Sequence, residues 1–237
     1  MGRGHLLSHR TGRCVSDPRA AFLARAASGL SPHPPGPDDP TSNPRGDHSL
    51  DPDGSAVIPP PPHRRAAVLV PVVFRPEGPN LILTQRAANL RDHSGQVALP
   101  GGKIDPSDST PAAAALREAE EEIGLHPTAV QLVGYIDPYL SGTGFLVTPV
   151  IGLVAPEATY RPNPAEVADV FEVPLPVLMD RERYRLRSRD WQGRTRWFYA
   201  VNFGERLIWG VTAGILNNLR ERLYPESEPG GIRRPAV

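Results

Sequence analysis

Four glutamates stand close together at Glu118, Glu120, Glu121 and Glu122, between Arg117 and Gly124. In a helix of 3.6 residues per turn, Glu118, Glu121 and Glu122 share about a third of the circumference, while Glu120 points away from them. Ala112, Ala115, Leu116, Ala119 and Ile123 form an apolar stripe beside that arc. Such a helix packs on one side and lines a cleft with acids on the other. Carboxylates this close repel one another unless a cation lies between them, and a hard divalent ion with oxygen ligands, Mg²⁺ or Mn²⁺, meets that need. Arg117, four residues before Glu121, is spaced to hold its carboxylate. A merely solvated acidic face is the competing reading, and the flanking residues decide against it.

Those flanks supply a helix start and a turn. Ser109 or Thr110 caps the helix, and Pro111 suits its first position. Upstream lies the Gly101-Gly102 turn. Arg117-Glu118-Ala119-Glu120-Glu121-Glu122-Ile123-Gly124-Leu125 matches the R-E-U-x-E-E-x-G-U core of the Nudix box, and the chain here resembles the Nudix hydrolases. That resemblance implies cleavage of a nucleoside diphosphate linked to another group. It assigns Glu118, Glu121 and Glu122 to a metal ion and Glu121 to the general base. Glu166, in a late Pro-bounded loop, is the second candidate base. One departure stands out: the box pattern expects a glutamate eight residues before the arginine. Here Asp108 lies nine before Arg117, in a turn one residue longer and with a side chain one methylene shorter.

The residues from Ile82 to Gly102, ILTQRAANLRDHSGQVALPGG, are similar to the second motif of the coenzyme A pyrophosphatase branch, with Ala87 in place of Ser and Leu99 in place of Phe. The longer GGKIDPSDST turn, Ser141-Gly142-Thr143-Gly144-Phe145 and Ile208-Trp209-Gly210-Val211-Thr212-Ala213-Gly214 resemble the same branch. The resemblance implies hydrolysis of coenzyme A or its thioesters to 3′,5′-ADP and a 4′-phosphopantetheine product. Arg86 and Arg91 offer planar donor forks to phosphate oxygens, and Gly95, Gly101 and Gly102 let backbone approach the ligand. Two alternatives are a Nudix pyrophosphatase for ADP-ribose or another nucleoside diphosphate derivative, and a non-catalytic nucleotide-binding module.

These residues need a frame. Ala66–Phe74 reads as a buried strand with Pro71 at a bulge or edge, and Asn80–Arg86 as its hairpin partner. Short strands are expected at Gln96–Leu99, Gln131–Tyr139, Phe145–Val154 and Val170–Val173. Tyr184–Arg189 and Arg196–Val201 form a hairpin around Trp191-Gln192-Gly193, and a final helix spans Val211–Leu223. Helices bracketing a mixed sheet indicate an α/β/α sandwich of the Nudix type, running from residue 65 to 224.

Residues 1–64 read as an arm. It holds one short helix, capped by Asp17, and a proline-rich linker, largely disordered; residues 225–237 read as a disordered tail. The 29 prolines among 237 residues, more than twice the usual share of about 5%, support an appended non-globular part. Arginine and acid balance to a net charge of zero, and Lys103 is the only lysine. Nothing global therefore favours nucleic acid or an acidic membrane surface as a partner, and the expected partner is a small nucleotide. A lone Cys14 rules out an intrachain disulfide, and no apolar run approaches bilayer length, so a cytoplasmic location is expected. The oligomeric state stays open at this level.

Overall fold

The apolar run at residue 66 becomes the centre of the molecule because it is buried on both faces. In the computed structural model, which describes residues 17–36, 45–54, 56, 58–90, 93–191 and 193–225, it forms β2 (Arg64–Arg75). Beside it lie β3 (Gly78–Arg86), β4 (Val97–Ala98), β5 (Gly101–Lys103) and helix α2 (Pro111–Ile123). The chain continues through β6 (Val130–Tyr135), β7 (Tyr139–Leu140), β8 (Phe145–Val154), β9 (Val167–Pro174) and the short helix α3 (Leu175–Met179). It ends with β10 (Arg185–Trp191), β11 (Arg194–Phe203), β12 (Arg206–Trp209) and helix α4 (Gly210–Leu223). Before β2 come α1 (Pro18–Gly29) and β1 (Arg45–Gly46). The expectations placed on residues 1–16, 37–44 and 226–237, and on Arg91, fall outside the described residues.

The main sheet is mixed. β2 runs parallel to β8 from Arg64↔Phe145 to Val73↔Val154, and antiparallel to β3 and β5 on its other edge. Side chains alternate across it. Ala67, Leu69 and Val73 meet the alanines of α2, whereas Ala66, Val70 and Val72 belong with Ile215, Leu216 and Leu219 of α4. This is the expected Nudix-type α/β/α sandwich, with burial of both faces explaining why β2 reads as an unbroken apolar run. Pro71 is tolerated there for a local reason. Leu69 donates its N–H to Pro100 O; alternation aims position 71 at the same edge, in the gap between the β5 and β3 pairings.

Helix α2 starts and stops where its sequence dictates. Thr110 Oγ1 accepts from the Ala113 N–H, and Gly124 closes the helix in the left-handed region with its N–H on Glu120 O. The expected strand at Gln131–Tyr139 splits into β6 and β7 at Pro138, which cannot donate to a ladder.

The described parts of the arm reach beyond the boundary expected at Arg65. Helix α1, capped by Asp17, buries Phe22 and Ala26, and Phe22 meets Phe74 edge to face with ring centroids 5.9 Å apart. Ser31 and Tyr135 exchange backbone hydrogen bonds of 2.9 Å, and β1 pairs parallel with β7. β10, β11 and β12 form a separate antiparallel sheet, the expected hairpin plus one strand.

Candidate active site

Strand β5 sets the site because its two glycines let carboxylates come up against backbone. A side chain at Gly102 would collide with Glu118, its Cβ 2.4 Å from the carboxylate carbon. Gly101 adopts φ 151° and donates its N–H to Glu122 Oε2 at 3.1 Å. Helix α2 thus presses Glu118 and Glu122 onto the end of β5. From the other side Arg86, at the end of β3, brings Nη1 to 3.6 Å from Glu122 Oε1. Its Nε is buried with no hydrogen-bond partner.

Arg117 is saturated. Nε and Nη2 donate to the two oxygens of Asp108 at 3.1 and 3.0 Å, and Nη2 also reaches Lys103 O. Nη1 donates to Glu118 at 3.0 Å and Glu121 at 3.2 Å. Asp108 also accepts the Asp105 N–H, and its side chain is only 6% exposed. The one-residue extension of the turn and the shorter acid therefore compensate, and Asp108 becomes the bidentate anchor of Arg117. Sequence reasoning missed this role because the spacing departs from the family pattern; an acid inside a well-capped turn was the available signal.

The same contacts set the ionisation. Hydrogen bonding to Arg117 holds the Asp108 carboxyl below its usual range and raises Arg117 further. Burial lifts Glu118, with the Arg117 bond opposing it and Glu121 and Glu166 adding repulsion. Burial likewise pushes Glu122 up to about 7, against the Gly101 N–H and Arg86, with Glu118 and Glu166 raising it. Glu166 is therefore electrically coupled to the box glutamates. Its loop is tied to their helix, since Asn163 donates its N–H to Glu122 O and Arg161 to Ile123 O. Ala87 donates to Glu166 O, and Asn163 Nδ2 lies 3.3 Å from Glu166 Oε1.

Of the residues singled out in the sequence, Arg86, Gly101, Gly102, Arg117, Glu118, Glu122 and Glu166 come together. Glu121 keeps its place beside Arg117, but its side chain is 55% exposed. Gly95 serves the turn, with φ 67° and open space where a Cβ would be. Among the described residues, no three acid, histidine or cysteine side chains converge as a preformed cation cage.

Carboxylates backed by an arginine that keeps a buried donor spare, at the edge of an α/β/α sandwich, make a phosphate-handling centre suited to a hard cation. The NUDIX domain family model matches residues 63–195, and the chain belongs to the Nudix family. It is 45% identical to NudL of Escherichia coli K12, a Nudix hydrolase itself uncharacterised, over 157 residues covering 66% of this chain and 81% of that relative. Against NudL of Shigella boydii serotype 4 the identity is 46% with the same coverage. Among solved structures, the Nudix hydrolase RenU of Mycobacterium smegmatis is 30% identical, with a TM-score of 0.40 and coverage of 48% of this chain and 72% of RenU. Nudix hydrolases act on diphosphate bonds and generally use divalent metals such as Mg²⁺ or Mn²⁺. The donor set here fits such an ion. It is all oxygen, and burial together with mutual repulsion leaves Glu118 and Glu122 short of positive charge.

Proposed function

We propose that the protein hydrolyses the diphosphate of coenzyme A or its acyl thioesters, giving 3′,5′-ADP and a 4′-phosphopantetheine product. The observation that carries this reading is the position of Arg86. It belongs to the upstream stretch resembling the coenzyme A branch, yet its guanidinium lies against box glutamate Glu122 with Nε buried and unpartnered. The side chain stays 26% exposed, and the open part of its guanidinium suits a phosphate oxygen of the substrate. Relatedness to NudL supports the family-level part of the reading.

Mg²⁺ or Mn²⁺, held by Glu118 and Glu122 with Glu121 at the rim, would supply Lewis acidity and water activation. The chain's own residues do the remaining work. Asp108 fixes Arg117, and Arg117 in turn fixes Glu118 and Glu121. Arg86 orients phosphate, joined by Arg91 on the strength of the sequence motif. Of the two candidate bases, Glu166 is favoured, because Arg117 already donates to one of the two Glu121 oxygens and so occupies an atom that would have to take the proton.

The test is mass spectrometry of coenzyme A incubated with the protein and Mg²⁺ or Mn²⁺. Appearance of 3′,5′-ADP with phosphopantetheine is the expected result. Intact coenzyme A alongside cleaved ADP-ribose would overturn the assignment in favour of another Nudix specificity. Glu166→Gln should lower kcat by roughly 10²–10⁴-fold, the range for loss of a general base. If Glu121→Gln suffers the larger loss, the base assignment is reversed.

A further inference from the structure

One guanidinium from the second sheet grips both strands that lead into the candidate active site. Arg206 opens β12, just past the Gly204 turn. Its Nη2 donates to Asp169 Oδ2 of β9 at 2.6 Å, and its Nη1 donates to Gln85 Oε1 of β3 at 3.3 Å. The same guanidinium lies over the Phe171 ring, 3.8 Å from its centroid. Gln85 and Asp169 stand directly opposite each other in the antiparallel β3–β9 pairing. Side chains alternate along a strand, so both project to the α4 side with Leu83 and Phe171, while Arg86 projects to Glu122 on the α2 side.

Gln85–Asp169 is the last regular rung before the strands part. Immediately beyond it the register shifts: Arg86 pairs with Val167, and Ala168 is left over as a bulge. A bulge interrupts the ladder and bends the strand, so backbone pairing alone fixes the next residues poorly. The loop after β3 is tied back by Gln85, whose Nε2 donates to Gly95 O. The loop before β9 ends at Glu166, whose carbonyl accepts the Ala87 N–H. Gln85 is the neighbour of Arg86, and Asp169 lies three residues after Glu166. As an ion pair the contact is open to water, with side chains 32% and 50% exposed, and it contributes little to stability. Its place at the bulge is what gives it a use.

We propose that Arg206 is a positioning residue: by bridging Gln85 and Asp169 beside the bulge, it sets where Arg86 and Glu166 stand relative to Glu122. This rests on the reading of Arg86 as a phosphate ligand and Glu166 as the base. An arginine suits the task because its planar fork presents donors to two strands at once, where a single ammonium would serve one of them. The second sheet thus acts on the site through β3 and β9 without touching the substrate.

The test compares wild type with Arg206→Gln and Arg206→Lys, with melting curves to show that all of them fold. Arg206→Gln should lower kcat for coenzyme A by about tenfold, the scale on which a displacement of a fraction of an ångström acts. Arg206→Lys keeps the charge without the fork and should lose nearly as much; a lysine variant with wild-type kcat would make charge alone sufficient and overturn the bridge. The glutamine exchange is then repeated in Glu166→Gln. There it should cost less than about twofold more, because its effect passes through Glu166; an equal loss in both backgrounds marks a general loosening and overturns the proposal. A second cycle needs no turnover: calorimetric binding of the non-hydrolysable adenosine 5′-(α,β-methylene)diphosphate with Mg²⁺. Arg206→Gln should weaken it several-fold in the wild-type background and leave it unchanged in Arg86→Ala. Should wild type leave coenzyme A intact, or Glu166→Gln keep full kcat, the hydrolase or base reading fails, and the binding cycle alone decides the role of Arg206. Equal affinity in wild type and Arg206→Gln, or an equal loss with and without Arg86, overturns it.

Discussion

Gly102 and Asp108 show how single positions hold the chemistry in place. Gly102 leaves the space that Glu118 fills, so Gly102→Ala must push that carboxylate aside. Misplacement by about 1 Å costs roughly 10²-fold in rate; a fall of that order in kcat is expected, with the circular dichroism spectrum unchanged. Asp108→Asn removes the charged partner of Arg117 and should cost about 1.5–3 kcal/mol, the range for hydrogen bonds to charged groups. The pH dependence follows from the direction of the shift. The native carboxyl titrates below its unfolded value of 3.8, so its stabilisation is complete above that value and disappears as pH falls through the native one. The difference in melting temperature between wild type and Asp108→Asn should therefore be largest near pH 6 and shrink below about pH 3.8, as scanning calorimetry would show.

At the level of elements, what could be read from the sequence was what the chain specifies locally. The Thr110 cap, Pro111, the alanine stripe and Gly124 define α2 without outside help, and the glutamate arc follows from helix geometry. In sequence β5 shows only as a Gly-Gly turn, because two glycines carry no strand propensity; pairing with Ala66–Val68 makes it a strand. The Asp108–Arg117 clamp was hidden by its irregular spacing. Helix α1 was legible as a helix but not as part of the core, since Phe74, which Phe22 meets, lies far along the chain. With Phe22 2% exposed, Phe22→Ala should destabilise by about 3–5 kcal/mol. A melting temperature within a degree of wild type would mean that α1 is not docked in solution.

Across the whole molecule, a net charge of zero conceals an uneven distribution. Glu118, Glu122 and Arg117 are buried or half-buried against one another, whereas the arginines of the β10–β11 hairpin are exposed. Salt screens these groups unequally: the Debye length falls from about 10 Å at 0.1 M to about 3 Å at 1 M, and exposed charges feel it far more than partly buried ones. If the anionic nucleotide is drawn in through water while the carboxylate centre carries out the chemistry, raising KCl from 0.1 to 0.5 M should increase KM for coenzyme A several-fold and leave kcat nearly constant. Steady-state kinetics at four salt concentrations would check both. A fall in kcat with KM unmoved would place the salt-sensitive charges at the Glu118–Glu122 centre.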